Sequence, residues 1–288
     1  MPDVPNGYPE DFEVYPSSRA AAEDFTAALT SLRQALKPAD AKVHARPGES
    51  YEDFLIRLAL NASSTNAVLY RKNDSAEETK IQAWLSMISE RSKFEVLSRA
   101  IPRFQGLSQE QLREIALISM EPYRASSLTE HLAAAYGVLL VVEPGFKAMK
   151  MDGCTFKLAQ GTPVIGITIR YNRYDNFWFT LMHELAHISL HYDQLDQPIL
   201  DDFDENVDSD IETEANIIAK KSLVSTENWR HIWNARTDKR QFLMYCERAN
   251  LHPAIAAGML RHQAKNYKLY PELTHAINLR EVFGFTDD

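Results

Sequence analysis

The chain has 288 residues, which fits one large domain or two modest ones, and its composition of 45% hydrophobic and 25% charged residues is that of a globular protein. The net charge of −9 argues against a nucleic-acid-binding surface, and no stretch approaches the roughly 18 apolar residues that a membrane span requires. The N-terminus lacks the basic and apolar segments of a signal peptide, and Cys154 and Cys246 lack the spacing of a disulfide or zinc framework. We therefore expect a cytoplasmic protein without membrane contact.

Helical patterns fill the first part of the chain. The predicted helices span residues 17–36, 50–61, 75–101, 108–121 and 126–136. Ser75 and Ser108 are candidate N-caps, and Gly137 is a candidate C-cap. The first 16 residues are predicted to form a flexible arm. We place a helical domain with a partner-docking or regulatory role at residues 1–110.

Short β-branched segments bounded by Gly or Pro come next, at residues 137–144, 153–159 and 163–170. They predict a three-stranded sheet, with the last segment as an edge strand to which an extended peptide could add. Helical patterns then return, most clearly at residues 210–224, 239–250 and 252–265. The predicted fold class is α+β: mainly helical, with the small sheet packed on the helix that follows it, in a second domain at residues 111–288.

Acidic residues are concentrated in residues 193–214, which hold ten Asp and Glu but no Lys or Arg. The rest of the chain is nearly neutral, with 30 acidic and 31 basic residues. Within this segment, DDFDENVD at residues 201–208 resembles a calcium loop, but an EF-hand counted from Asp202 would need Gly at Val207 and Glu at Thr213. We interpret it as a solvated loop.

The segment FWFTLMHELAHISLH, residues 177–191, contains the pattern His-Glu-x-x-His. In a helix, His183 and His187 lie one turn apart on the same face, where two imidazoles can bind one Zn²⁺. Glu184 is placed to act as the general base on a metal-bound water. His191 lies eight residues beyond His183, about 12 Å along a helix, so we expect it to support the site or to end the helix rather than to bind the metal.

A third ligand is expected from the downstream segment IETEAN. Glu212 and Glu214 both open the predicted helix of residues 210–224, and a glutamate from a second helix is the gluzincin arrangement. Two residues that are two positions apart lie on different faces of a helix, so only one of them can reach the metal. The spacing alone leaves both candidates open.

Together, YNRYDNFWFTLMHELAHISLH, EAN and HPAIAAGMLRH resemble the ImmA/IrrE-type zinc metallopeptidases over roughly residues 125–267. The resemblance implies that the third zinc ligand is the glutamate immediately before Ala-Asn, Glu214. It also implies direct roles for His183 and His187 as ligands and for Glu184 as the catalytic residue. The helix that carries Glu214 ends in SLVS instead of the Leu-Met-Pro-like stretch usual in the family. The implied fold is a zincin-like domain at residues 111–288, with the small sheet packed on its active-site helix.

The resemblance further implies regulated proteolysis in a bacterial regulatory, toxin–antitoxin or phage-defence system. The expected substrate is a helix-turn-helix repressor or antitoxin, through which the protein would contact DNA only indirectly. Residues 50–72 do not form a convincing helix-turn-helix motif of their own. The alternative is a non-enzymatic regulatory or toxin–antitoxin component that binds a partner protein or DNA and uses its zincin domain for interaction.

Overall fold

A computed structural model describes residues 17–65, 75–201 and 210–285. Two predictions lie largely outside these residues: the arm at residues 1–16, and the solvated loop DDFDENVD, of which only residue 201 is described. The calcium-loop positions counted from Asp202 fall largely in the gap at residues 202–209.

The chain forms two compact units, Met1–Met87 and Ile88–Asp288. The first unit contains α1 (Ser17–Ala35), α2 (Pro38–His44), α3 (Tyr51–Thr65) and the start of α4 (Ala76–Ser98). Apolar side chains at helical spacing form its core, among them Leu32, Leu36, Phe54, Leu58 and Trp84. The chain passes into the second unit within α4, and the predicted domain division at residue 110 stays a prediction.

Nine further α-helices belong to the described part of the second unit. They are α5 (Gln109–Leu117), α6 (Leu128–Tyr136), α7 (Tyr174–His191), α8 (Asp210–Leu223), α9 (Thr226–Asn234), α10 (Lys239–Arg248), α11 (Pro253–Ala264), α12 (Pro271–Thr274) and α13 (Leu279–Val282). Three 3₁₀ turns, Ile118–Met120, Pro122–Ser127 and Tyr192–Gln194, lie between them.

The predicted caps are confirmed. The Ser108 side chain accepts a hydrogen bond from the backbone N–H of Gln111, whose side chain accepts one from Ser108 in return. Gly137 ends α6 at φ +67° in the left-handed region, and a Cβ there would lie 2.3 Å from the backbone oxygen of Pro102. Only glycine fits both conditions.

The sheet has four strands, one more than the sequence predicts. Strands β1 (Leu139–Val142), β2 (Gly153–Lys157), β3 (Pro163–Ile167) and β4 (Ile199–Asp201) lie in the order β1-β3-β2-β4. β1 is parallel to β3, whereas β2 is antiparallel to both β3 and β4. The α+β, mainly helical class is confirmed. The prediction of β3 as an edge strand is wrong, because β3 pairs on both sides.

Helix α7 lies at the centre of the second unit. It packs against β2 and β3 on one side and against α8 and α11 on the others. Phe177, Trp178, Leu181 and Leu185 are all nearly or fully buried, so the polar residues of the same helix are enclosed with them. This placement accounts for the apolar character of the His-Glu-x-x-His segment.

Cys154 and Cys246 are both free and buried, and burial raises the pKa of Cys246 to about 12. Among the described residues, no helix is long and apolar enough to cross a membrane.

Candidate metal centre

His183 and His187 lie side by side on α7, as the four-residue spacing predicts. Both side chains are fully buried, with ring centroids 4.6 Å apart and Nε2 atoms 2.9 Å apart. Two imidazoles therefore direct the same kind of nitrogen toward one point. A buried pair of nitrogens in that arrangement needs a proton or a cation between them.

Glu212 extends from the first turn of α8 to the same point. Its Oε2 lies 3.0 Å from Nε2 of His183, and its Oε1 lies 3.5 Å from Nε2 of His187. His183, His187 and Glu212 each offer one donor atom, and these three atoms lie within 4.8 Å of one another.

The two histidines also set the charge state of Glu212. Its side chain is 17% exposed, and this burial by itself raises the pKa of the carboxyl group. Hydrogen bonds and charge interactions with His183 and His187 outweigh the burial and hold the pKa of Glu212 well below its ordinary value. Glu212 is therefore an anionic donor at neutral pH.

The chemistry of this group fits a divalent metal such as Zn²⁺. Catalytic zinc sites use three protein ligands from His, Glu or Asp and keep one position open, and His₂Glu is one of their common ligand sets. A tetrahedral ion with bonds of about 2.1 Å needs ligand atoms about 3.4 Å apart. The two Nε2 atoms lie 2.9 Å apart, and the two oxygens of Glu212 lie 3.0 and 3.5 Å from them, one oxygen near each histidine. The carboxylate as a whole therefore lies close to that spacing.

The structure does not bring Glu214 to the histidine pair. The Glu214 side chain is 62% exposed, and its Oε2 lies 3.1 Å from Nε2 of His191. The geometry thus replaces Glu214 by Glu212 in the candidate ligand set. The physical reason is the one that left the two candidates open: residues two positions apart point in different directions from one helix, and the sequence does not give the rotation of α8 against α7.

Glu184, the sequence-predicted base, is fully buried and faces the sheet. The hydroxyl of Thr155 on β2 donates a hydrogen bond to its Oε2. Gly153 on the same strand leaves room for the other oxygen, since a Cβ at residue 153 would lie 2.1 Å from Oε1. The sequence alone did not single out Thr155 or Gly153. Both matter through contacts between a strand and a helix, and such contacts leave no pattern in the neighbouring residues.

A His-Glu-x-x-His helix that receives a carboxylate from the next helix defines a metallopeptidase-type site of the gluzincin arrangement. Residues 117–244 match the family model of peptidase M78, described as the IrrE N-terminal-like domain. This match confirms the resemblance seen in the sequence. The match includes the whole sheet, α7 and α8, whereas HPAIAAGMLRH lies beyond its end. No curated protein and no solved structure matches the chain significantly.

Proposed function

We propose that the chain is a zinc-dependent endopeptidase in which His183, His187 and Glu212 hold the metal. The convergence of these three side chains around one point in a peptidase-family domain carries the proposal. Two neutral imidazoles and one carboxylate leave a site with a net positive charge when zinc is bound, which suits the binding of water and of a peptide carbonyl oxygen.

Glu184 is the proposed general base. Zinc bound at this site would lower the pKa of a water that it coordinates and would polarise the carbonyl group of the peptide bond to be cleaved. Glu184 would take a proton from the attacking water at Oε1, the oxygen that Thr155 does not engage, and would pass it to the amine nitrogen as the peptide C–N bond breaks. The hydrogen bond from Thr155 keeps the carboxylate in one rotamer, so little reorganisation is needed when the proton moves.

The proposed substrate is a helix-turn-helix repressor or antitoxin in a bacterial regulatory, toxin–antitoxin or phage-defence system. This part of the proposal rests on the resemblance to ImmA/IrrE-type peptidases and on the matching domain. Contact with DNA is proposed to occur only through that partner, and the cytoplasm is the proposed location.

Metal binding is tested first, by elemental analysis of the purified protein and by titration of the metal-free protein with Zn²⁺. We expect one zinc per chain, and we expect alanine at His183, His187 or Glu212 to abolish tight binding. Glu214→Ala removes a glutamate two positions away on α8 and should still bind one zinc, more weakly than the wild type but far more tightly than Glu212→Ala. Asp210→Ala, which removes an exposed carboxylate from the same end of α8, is the matched control and should bind zinc like the wild type. Loss of zinc with Glu214→Ala but not with Glu212→Ala would contradict the assignment.

Catalysis is tested with Glu184→Gln, which should bind zinc like the wild type but cleave nothing. Cells that express either protein are compared by mass spectrometry of protein N-termini. New N-termini that appear only with the wild type identify the cleaved protein, and the purified pair should reproduce the cut. Equal cleavage by Glu184→Gln, or no new N-terminus with the wild type, would overturn the proposal.

The second candidate is a component that binds a partner without turnover. The observation that favours it is the position of Glu184, whose carboxylate is fully buried and turned toward β2. On this candidate, wild type and Glu184→Gln bind the partner equally and leave it intact. The comparison of N-termini therefore separates the two functions.

A further inference from the structure

Two polar side chains, His191 and Glu214, connect the candidate ligand His187 to the protein surface. Nδ1 of His187 lies 3.2 Å from Nδ1 of His191, and Nε2 of His191 lies 3.1 Å from Oε2 of Glu214. His187 and His191 are 0% and 4% exposed, whereas the Glu214 side chain is 62% exposed. The series thus begins in the buried centre and ends in solvent.

The backbone explains why these groups meet. His191 follows His187 by four residues, which places it one turn further along the same face of α7. Helix α8 packs along α7, and its first turns present Glu212 to the earlier histidines and Glu214 to the last one. One pair of helices therefore supplies both the candidate ligands and the polar groups behind them.

Metal binding fixes the direction of both hydrogen bonds. A ring nitrogen that binds a metal carries no hydrogen, so a neutral His187 that binds through Nε2 keeps its hydrogen on Nδ1. Nδ1 of His187 then donates to Nδ1 of His191, which must be bare. His191 consequently carries its hydrogen on Nε2 and donates it to the Glu214 carboxylate. Each donor in the series meets an acceptor.

We propose that His191 and Glu214 are positioning residues of the metal centre, which hold His187 in the Nδ1–H tautomer and in the ring orientation that binds the metal. The proposal rests on the metal site of the proposed function. It gives a role to His191 in the HELAHISLH segment and to Glu214 in the IETEAN segment. Hydrogen-bond partners behind a metal-bound histidine commonly change metal affinity by about 10- to 100-fold.

The affinity test uses the metal-free full chain and Zn²⁺ in competition with a chromophoric chelator. We expect His191→Ala and Glu214→Ala to raise the zinc Kd by about 10- to 100-fold. Glu214→Gln keeps an acceptor oxygen and should restore most of the affinity. Asp210→Ala removes an exposed carboxylate from the same end of α8 and should leave the Kd unchanged. Thermal unfolding of the metal-free proteins reports whether each variant folds.

A spectroscopic test addresses the tautomers directly. Long-range ¹H–¹⁵N correlation spectra of the zinc-loaded protein should show His187 protonated at Nδ1 and His191 protonated at Nε2. In Glu214→Ala, His191 should lose its single tautomer, a change that a merely structural role of Glu214 would not produce.

The outcomes separate this proposal from the proposed function. A wild-type chain that binds no zinc overturns both. A wild type that binds zinc no more tightly than His191→Ala and Glu214→Ala overturns the positioning role alone, and so does a zinc-loaded His191 protonated at Nδ1.

Discussion

The hydroxyl of Thr155 on β2 donates a hydrogen bond to Oε2 of Glu184 on α7. Both side chains are fully buried, so this bond joins the sheet to the central helix inside the core of the second unit. A buried carboxylate is stable only with such partners, because transfer from water removes its hydration.

Removal of this hydroxyl is therefore expected to destabilise the fold. Thr155→Val keeps the volume of the side chain and should lower the free energy of unfolding by about 1–3 kcal/mol. A double-mutant cycle with Glu184→Met, measured by urea unfolding, isolates the pair. The loss caused by Thr155→Val should largely disappear in the Glu184→Met background, and additive losses would show that the two residues do not interact.

The sequence predicted most of this second unit because its signals are local. Ser108 marks the start of α5 and Gly137 marks the end of α6, through side-chain and backbone chemistry that a local sequence pattern reveals. The spacing of His183 and His187 likewise fixes their common face on a helix. The class of the fold and two of the candidate ligands follow from such short-range patterns.

What the sequence could not predict depends on how separate elements pack. The choice of Glu212 over Glu214 depends on the rotation of α8 against α7, which no local pattern encodes. β4 has only three residues within an acidic segment, and it forms through pairing with β2. The apolar sequence of β3 is compatible with an interior strand or an edge strand, because it does not show how many neighbouring strands pair with it.

Gly153 is expected to tolerate no side chain. A Cβ there would lie 2.1 Å from Oε1 of Glu184 and 2.8 Å from Cγ2 of Thr180, so Gly153→Ala must push β2 away from α7 or turn the carboxylate. Such overpacking should lower the free energy of unfolding by about 1–3 kcal/mol. Gly145→Ala is the control. A Cβ at residue 145 would lie 2.9 Å from Cε at the end of the flexible Met149 side chain, which can move aside. Equal stability of the two variants would contradict the close approach.

Arg113 on α5 caps the C-terminal ends of α8 and α10. Its guanidinium donates to the backbone oxygens of Ser222 and Leu223 at the end of α8, and to that of Ala249 after α10 at 2.8 Å. A planar guanidinium can reach all three carbonyls at once, whereas the single ammonium of lysine cannot. Arg113 thus fixes the far end of the helix that carries Glu212.

Arg113→Met should therefore lower the free energy of unfolding by about 2–3 kcal/mol, because the buried carbonyls lose charged donors. Arg113→Lys should recover only part of this loss. Urea unfolding measures both, with Arg240→Met on the exposed surface of α10 as the control. If Arg113→Met and Arg240→Met unfold at the same urea concentration, the capping role is refuted.

His252 is expected to make the stability of the fold depend on pH. Its Nδ1 accepts a hydrogen bond from the backbone N–H of Ala254 at 3.2 Å and so caps α11, while its ring packs against that of Tyr174. Burial lowers the pKa of His252 below its ordinary value of 6.5. A protonated Nδ1 could no longer accept the capping hydrogen bond.

The sign of the effect follows from this lowered pKa. Between the folded and the unfolded pKa, the unfolded chain binds the proton more readily, so the free energy of unfolding decreases as the pH falls below about 6.5 and levels off below the folded pKa. His252→Asn keeps a capping oxygen and does not titrate. Its free energy of unfolding, measured with urea between about pH 7 and pH 5, should therefore change less steeply with pH than that of the wild type. Some slope should remain, because burial and the nearby charges of Lys265 and Lys220 lower the pKa of His262 as well. A His252→Asn slope as steep as that of the wild type would rule out the role of His252.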